Sequence, residues 1–195
     1  MKIRIYGQPE PWMPEDWKSA IRRMIDHTCS GWLSYRRMKH LEVKVCINRK
    51  FDLGGEVAPD WMARDYKPNH FKMTLNPTLV ESNEAWLTMV GHESIHIAQY
   101  ATGRLRNGAK GTVWEGEIWE YPEARHLGGS EYWECPWEIE AYGLEKAMLW
   151  IFVNVFLWYS AWKFFLFYNY ASCLLYTSDA ADEGLGVDLG GRRII

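Results

Sequence analysis

The sequence predicts an α+β domain in which helices pack on a small mixed or antiparallel sheet. Short segments with alternating apolar and polar residues predict strands, and longer segments with apolar residues at helical spacing predict amphipathic helices. With 195 residues, of which 48% are hydrophobic, the chain is long enough to form one domain with its own core.

Three strands are predicted in the first half of the chain from their alternating patterns. They are Lys2–Tyr6, Leu41–Ile47 and His70–Leu75. Residues 48–60 lie between the second and the third strand and contain Gly54, Gly55 and Pro59. This composition predicts a loop or a wide hairpin connection.

Two helices are predicted around these strands. The first spans residues 14–30, has apolar residues at helical spacing and stops at Gly31. The second begins after Ser82, which is a suitable N-cap, and ends near Ala101, with Gly103 as its C-terminal cap.

The later part of the chain contains a strand or small hairpin over residues 112–120, around Gly116, and a helix that begins at Pro136. Residues 147–171 are strongly apolar and aromatic, and long enough for a membrane span. Because polar residues interrupt them, a buried or interfacial helix is favoured, and membrane association is the alternative. The interruptions are Asn154, Ser160, Lys163 and Asn169.

A metal-binding pattern lies inside the second predicted helix. His92, Glu93 and His96 form the motif H-E-x-x-H within GHESIHIAQY. Residues four apart share one face of a helix, so the two imidazoles can bind one metal ion. The glutamate can then take a proton from a water bound to that ion. The motif therefore predicts a catalytic metal site, with zinc as the expected ion.

Two histidines are too few for a zinc enzyme, which has three protein ligands and an open position. No third histidine follows at the spacing H-E-x-x-H-x-x-G-x-x-H, because His96 is followed by IAQYATGRLR. The remaining choice is a glutamate on a second helix, and the candidates are Glu138 and Glu140. Cys135 is interpreted as a buried thiol rather than as a ligand.

The segments HESIHIAQY and PWEIEAYG together resemble metallopeptidases of tailed phages and their metagenomic relatives, in the gluzincin group of zincins. The similarity spans residues 71–145. It implies a minimal zincin-like domain with a small mixed sheet, the H-E-x-x-H helix and a second helix that carries a ligand. It also implies that the strand at residues 70–75 is the edge strand that pairs with an extended substrate.

The third ligand of gluzincins is the first residue of an E-x-x-x-D motif, and the last residue of that motif supports a ligand histidine. By this resemblance Glu138 is the ligand and Tyr142 takes the supporting position. A tyrosine departs from the family pattern, but its hydroxyl can accept a hydrogen bond from His92 or His96. Glu140 then lies on the helix surface or supports the ligands.

The function implied is a zinc-dependent metallopeptidase that acts on a peptide or protein substrate. A water activated by the metal attacks the peptide carbonyl, with Glu93 as the general base that later protonates the leaving amine. A further donor to the oxyanion is expected, without a choice among four candidates. They are Arg125, His126, Tyr132 and Tyr142. The alternative function is a catalytically inactive, zinc-stabilised binding module.

The composition limits the binding partners and the cellular location that we expect for this protein. The net charge of −3 gives no basic footprint for nucleic acid. The four cysteines form no CxxC pair, which favours free thiols in a reducing compartment. No apolar leader segment follows Met1. The expected location is therefore the cytoplasm, that of the host cell if a phage encodes the protein.

The last 23 residues, 173–195, need a separate explanation. CLLYTSDAAD resembles an in-frame translation of a transposase adapter used for sequencing libraries, and VDLGGRRII resembles the outer adapter of the same libraries. We therefore expect residues 1–172 to form the metallopeptidase domain, with 173–195 as a non-native tail and the natural C-terminus missing.

Overall fold

The structure is a computed structural model that describes residues 1–60, 67–108, 111–119 and 134–154. The described residues form four α-helices and two small sheets, so the predicted α+β class is confirmed. By its contacts the chain divides into two compact units, Met1–Phe152 and Val153–Ile195. Except for residues 153 and 154, the fold described below belongs to the first unit.

The larger sheet has four strands in the order β1-β2-β4-β3. They are β1 (Lys2–Tyr6), β2 (Glu42–Ile47), β3 (Gly55–Pro59) and β4 (His70–Leu75). β1, β2 and β4 run parallel, while β3 is antiparallel to β4 and pairs Val57 with Met73. The sheet is therefore mixed, and the three strands predicted from alternation are confirmed.

β3 corrects two of the sequence predictions. Residues 55–59 were expected in a loop or wide hairpin connection, because glycine and proline are poor strand formers. Pairing with β4 holds them extended, and Pro59 is tolerated because it lies on an outer strand. Among the described strands, the edge strand next to the helix with the H-E-x-x-H motif is consequently β3, whereas β4 is internal, between β2 and β3.

Helices α1 (Trp17–Ser30) and α2 (Tyr35–His40) connect β1 with its parallel neighbour β2. α1 packs against α3 (Asn83–Thr102), and their apolar faces share one core with the sheet. The short helix α2 was not predicted. Within it, Arg37 donates hydrogen bonds to the carbonyls of Lys67, Pro68 and Ala101, so this arginine links α2 to the residues before β4 and to the last turn of α3.

α3 has the predicted start and stop. The Ser82 hydroxyl accepts a hydrogen bond from the Ala85 amide at 3.1 Å, and Gly103 ends the helix with a φ of 81°. A 3₁₀ turn, Pro77–Leu79, separates β4 from the helix. The helix that carries the H-E-x-x-H motif is therefore capped at both ends.

A second sheet follows α3, with antiparallel strands β5 (Leu105–Gly108), β6 (Gly111–Trp114) and β7 (Glu117–Trp119). The β6–β7 hairpin confirms the prediction for residues 112–120, and its turn has positive φ at Glu115 and Gly116, as tight hairpins require. β5 was not predicted.

The fourth helix, α4, occupies residues 136–154 and begins at Pro136 as predicted. The segment 147–171, interpreted from sequence as a buried or interfacial helix, lies partly in α4 and otherwise outside the described residues. Among those described, no helix combines the length and the apolar character needed to cross a membrane. The tail 173–195 also lies outside the described residues.

Candidate metal centre

The two histidines of the H-E-x-x-H motif lie one turn apart on the buried side of α3. His92 is 6% exposed and His96 is 7% exposed. Their rings meet edge to face at an interplanar angle of 81°, and the two Nε2 atoms are 3.1 Å apart. The four-residue spacing therefore points both Nε2 atoms at the same place.

Glu138 reaches this place from α4. On this helix Trp137, which precedes Glu138, and Ala141, which follows it, are buried, and Glu138 itself is only 5% exposed. Its Oε2 lies 3.4 Å from Nε2 of His92, and its Oε1 lies 3.5 Å from Nε2 of His96. The structure thus brings together the three residues that the sequence assigns as ligands.

The spacing of these three side chains suits a metal ion. A tetrahedral ion with bonds of about 2.0–2.1 Å to nitrogen and oxygen has ligand atoms about 3.3–3.4 Å apart. The separations of 3.1, 3.4 and 3.5 Å fall around that value. Among the described residues this is the only group of histidine, cysteine and carboxylate side chains close enough to hold an ion.

The opposite nitrogen of each imidazole is hydrogen-bonded to an acceptor. Nδ1 of His92 lies 2.9 Å from Oε2 of Glu145, and Nδ1 of His96 lies 2.8 Å from Oε1 of Gln99. In each neutral ring Nδ1 therefore carries the proton and Nε2 keeps its lone pair. Partners of this kind fix the orientation and tautomer of metal-binding histidines.

Gln99 and Glu145 were not identified from the sequence, although a signal existed for each. Gln99 follows His96 by three residues, and Glu145 follows Glu138 by seven, so each shares a helix face with a predicted ligand. The sequence placed the supporting role at Tyr142 instead. In the structure the ring of Tyr142 packs 4.5 Å from the ring of His92, and Tyr142 is 40% exposed. The residue that is hydrogen-bonded to Nδ1 of His92 is Glu145.

The other predicted residues also have defined places. Glu140, the alternative ligand, accepts a hydrogen bond from Gln99 Nε2 at 2.9 Å and lies outside the group that could hold a metal ion. Cys135 is 2% exposed and packs with Leu105 and Trp137, in agreement with its interpretation as a buried thiol. Three of the oxyanion-donor candidates lie outside the described residues. They are Arg125, His126 and Tyr132.

The electrostatics show an excess of negative charge around the histidines. Burial lowers the pKa of His92, but the nearby carboxylates of Glu138, Glu145 and Glu93 outweigh it and raise the pKa to about 9. Burial also lowers the pKa of His96, but the carboxylates of Glu138 and Glu93 outweigh it, so the pKa of His96 is raised as well. At Glu138 the directions are reversed: burial raises the pKa, but the two imidazoles outweigh it and lower the pKa to about 2. Three carboxylates thus surround two imidazoles, an arrangement that favours a bound cation.

Glu93 lies beside this group and is 5% exposed. Burial raises the pKa of its carboxyl, and the two histidines oppose that shift. Among the described residues, no hydrogen-bond donor reaches its Oε2. β3 covers the carboxylate from the sheet side, where Gly55 is in contact with it. A buried carboxylate oxygen next to a candidate metal-binding group is placed to accept a proton.

Comparison of the chain with protein-family models, with curated proteins and with solved structures finds no match.

Proposed function

We propose that the chain is a zinc-dependent metallopeptidase, in which His92, His96 and Glu138 hold the ion. The observation that carries the proposal is the convergence of two Nε2 lone pairs and one carboxylate at mutual distances of 3.1–3.5 Å. Two imidazoles and one carboxylate form a donor set that zinc uses in catalytic sites.

Glu93 is the general base of this proposal. Zinc supplies Lewis-acid chemistry: it lowers the pKa of water and polarises a carbonyl. The Oε2 atom of Glu93 accepts the proton of the attacking water and delivers it to the leaving amine, so the carboxylate ends the cycle as it began. Its burial keeps competing solvent away from the proton during the transfer.

The fold supports the same function. The order β1-β2-β4-β3 makes β3 the outermost of the described strands on its side of the sheet, and Glu93 packs against Gly55 of this strand. An extended peptide can add to such an edge through backbone hydrogen bonds. We infer that the substrate lies along β3, and that sheet, α3 and α4 form a minimal zincin-like domain.

Metal content and hydrolysis, measured on the full chain, test the proposal. The wild-type protein should bind one zinc ion and cleave members of a peptide library, and Glu93→Gln should bind zinc equally while cleaving none. His96→Ala should retain no zinc. A wild-type protein that binds one ion but cleaves no peptide would instead be the zinc-stabilised binding module.

A further inference from the structure

We propose that Glu140 is a positioning residue of the metal centre, although it contacts no ligand. It holds the side-chain amide of Gln99 in one orientation, and that orientation decides which nitrogen of His96 is available to the ion. The inference rests on the proposed metal site and adds to it a residue whose effect is indirect.

Gln99 connects His96 with Glu140 through its side-chain amide. Its side chain is fully buried, at 0% exposure. Its Oε1 lies 2.8 Å from Nδ1 of His96. Its Nε2 donates to the carbonyl of Trp137 at 3.0 Å and to Oε2 of Glu140 at 2.9 Å. All polar atoms of the amide are therefore engaged in a dry environment.

An amide can rotate by 180° and exchange its oxygen with its nitrogen at almost no change in shape. In the rotated state the Gln99 amide would donate to Nδ1 of His96. The proton of the neutral ring would then lie on Nε2, which could no longer bind a metal. The described orientation is favoured because both groups at the Gln99 nitrogen, the Trp137 carbonyl and the Glu140 carboxylate, only accept hydrogen bonds.

Glu140 is itself fixed by Arg104, which follows the C-terminal cap of α3. Nη1 of Arg104 lies 2.9 Å from Oε1 and 3.0 Å from Oε2 of Glu140. The same guanidinium binds Glu115 at 2.7 Å and packs on the ring of Trp114 at 4.6 Å. These contacts prevent the Glu140 carboxylate from turning away, so it stays an acceptor for Gln99.

Zinc affinity, measured on the full chain by competition with a chromophoric chelator, tests this role. Glu140→Gln keeps the size of the side chain, but its amide can donate to a rotated Gln99 as easily as it accepts. We expect affinity to fall about tenfold, within the range for residues that orient metal ligands. Glu117→Gln, which removes an exposed carboxylate on β7, should leave affinity unchanged.

A double-mutant cycle separates the proposed route from a general structural effect. Gln99→Met removes the amide, so Glu140→Gln in that background should weaken zinc binding no further. Two outcomes overturn the inference while leaving the metal site intact: unchanged affinity in Glu140→Gln, or losses that simply add in the double variant. A wild-type protein that binds no zinc overturns the proposed function, and this inference with it.

Discussion

The backbone of Gly55 lies against the side chain of Glu93, so closely that a Cβ on residue 55 would be 2.7 Å from Cγ and 2.8 Å from Cδ of the glutamate. Real Cβ atoms do not approach other atoms that closely. The glycine that makes β3 look like a loop in the sequence therefore leaves the space in which the proposed general base is held.

Gly55→Ala should displace the carboxylate of Glu93 and lower peptide hydrolysis about a hundredfold, since a shift of roughly 1 Å at a catalytic group has that effect. Zinc affinity should be unchanged, because no ligand moves. Hydrolysis rates and zinc titrations on the same preparation check both statements. Gly143→Ala is the matched control, as a Cβ there meets nothing within 4 Å. Full activity in Gly55→Ala would show that Glu93 needs no such space.

Glu138→Gln should reduce zinc affinity by more than the roughly 10–100-fold expected for loss of a supporting residue, because it removes the charged donor itself. Isothermal titration with zinc measures the change. Glu134→Gln, an exposed glutamate shortly before α4, serves as the control for loss of one negative charge. If the two variants bind zinc equally well, Glu138 is not a ligand.

Glu145→Gln and Tyr142→Phe decide which residue supports His92. The contact of Glu145 Oε2 with Nδ1 at 2.9 Å predicts that zinc affinity falls about 10–100-fold in Glu145→Gln. Nδ1 of His92 is bonded to Glu145 and Tyr142→Phe keeps the ring that packs on His92, so affinity should fall much less in this variant than in Glu145→Gln. Competition titrations of both variants give the answer. The opposite ranking would restore the role that the sequence placed at Tyr142.

Gly103→Ala should lower the free energy of unfolding by about 1 kcal/mol or somewhat more, because a φ of 81° is costly for any residue with a Cβ. The same exchange at Gly143, inside α4, should raise that free energy by about 0.5–1 kcal/mol, since alanine is the better helix former. Urea denaturation of both variants tests the pair. Equal effects at the two positions would argue against the left-handed cap.

Local patterns predicted much of the fold. Alternation located β1, β2 and β4, and Ser82 with Gly103 bounded α3, because these features depend on neighbours in sequence. β3 depends instead on pairing with β4, and its glycines and proline gave no local sign of it. The same holds for the assignment of β4 as an edge strand, which was wrong because strand order is set by tertiary packing.

The sequence by itself determined which residues are available to the candidate metal centre: two histidines and a glutamate at helical spacing, and a second helix bearing Glu138 and Glu140. Only the tertiary structure decided which of the two glutamates on that helix faces the histidines. Both glutamates lie on α4, two residues apart, and sequence alone assigned Glu138 as the ligand only through a resemblance. The packing of α4 on α3 turns Glu138 to the two Nε2 atoms and Glu140 to Gln99. That difference arises because residues two apart on a helix point in different directions, and only the contact between the helices selects one of them.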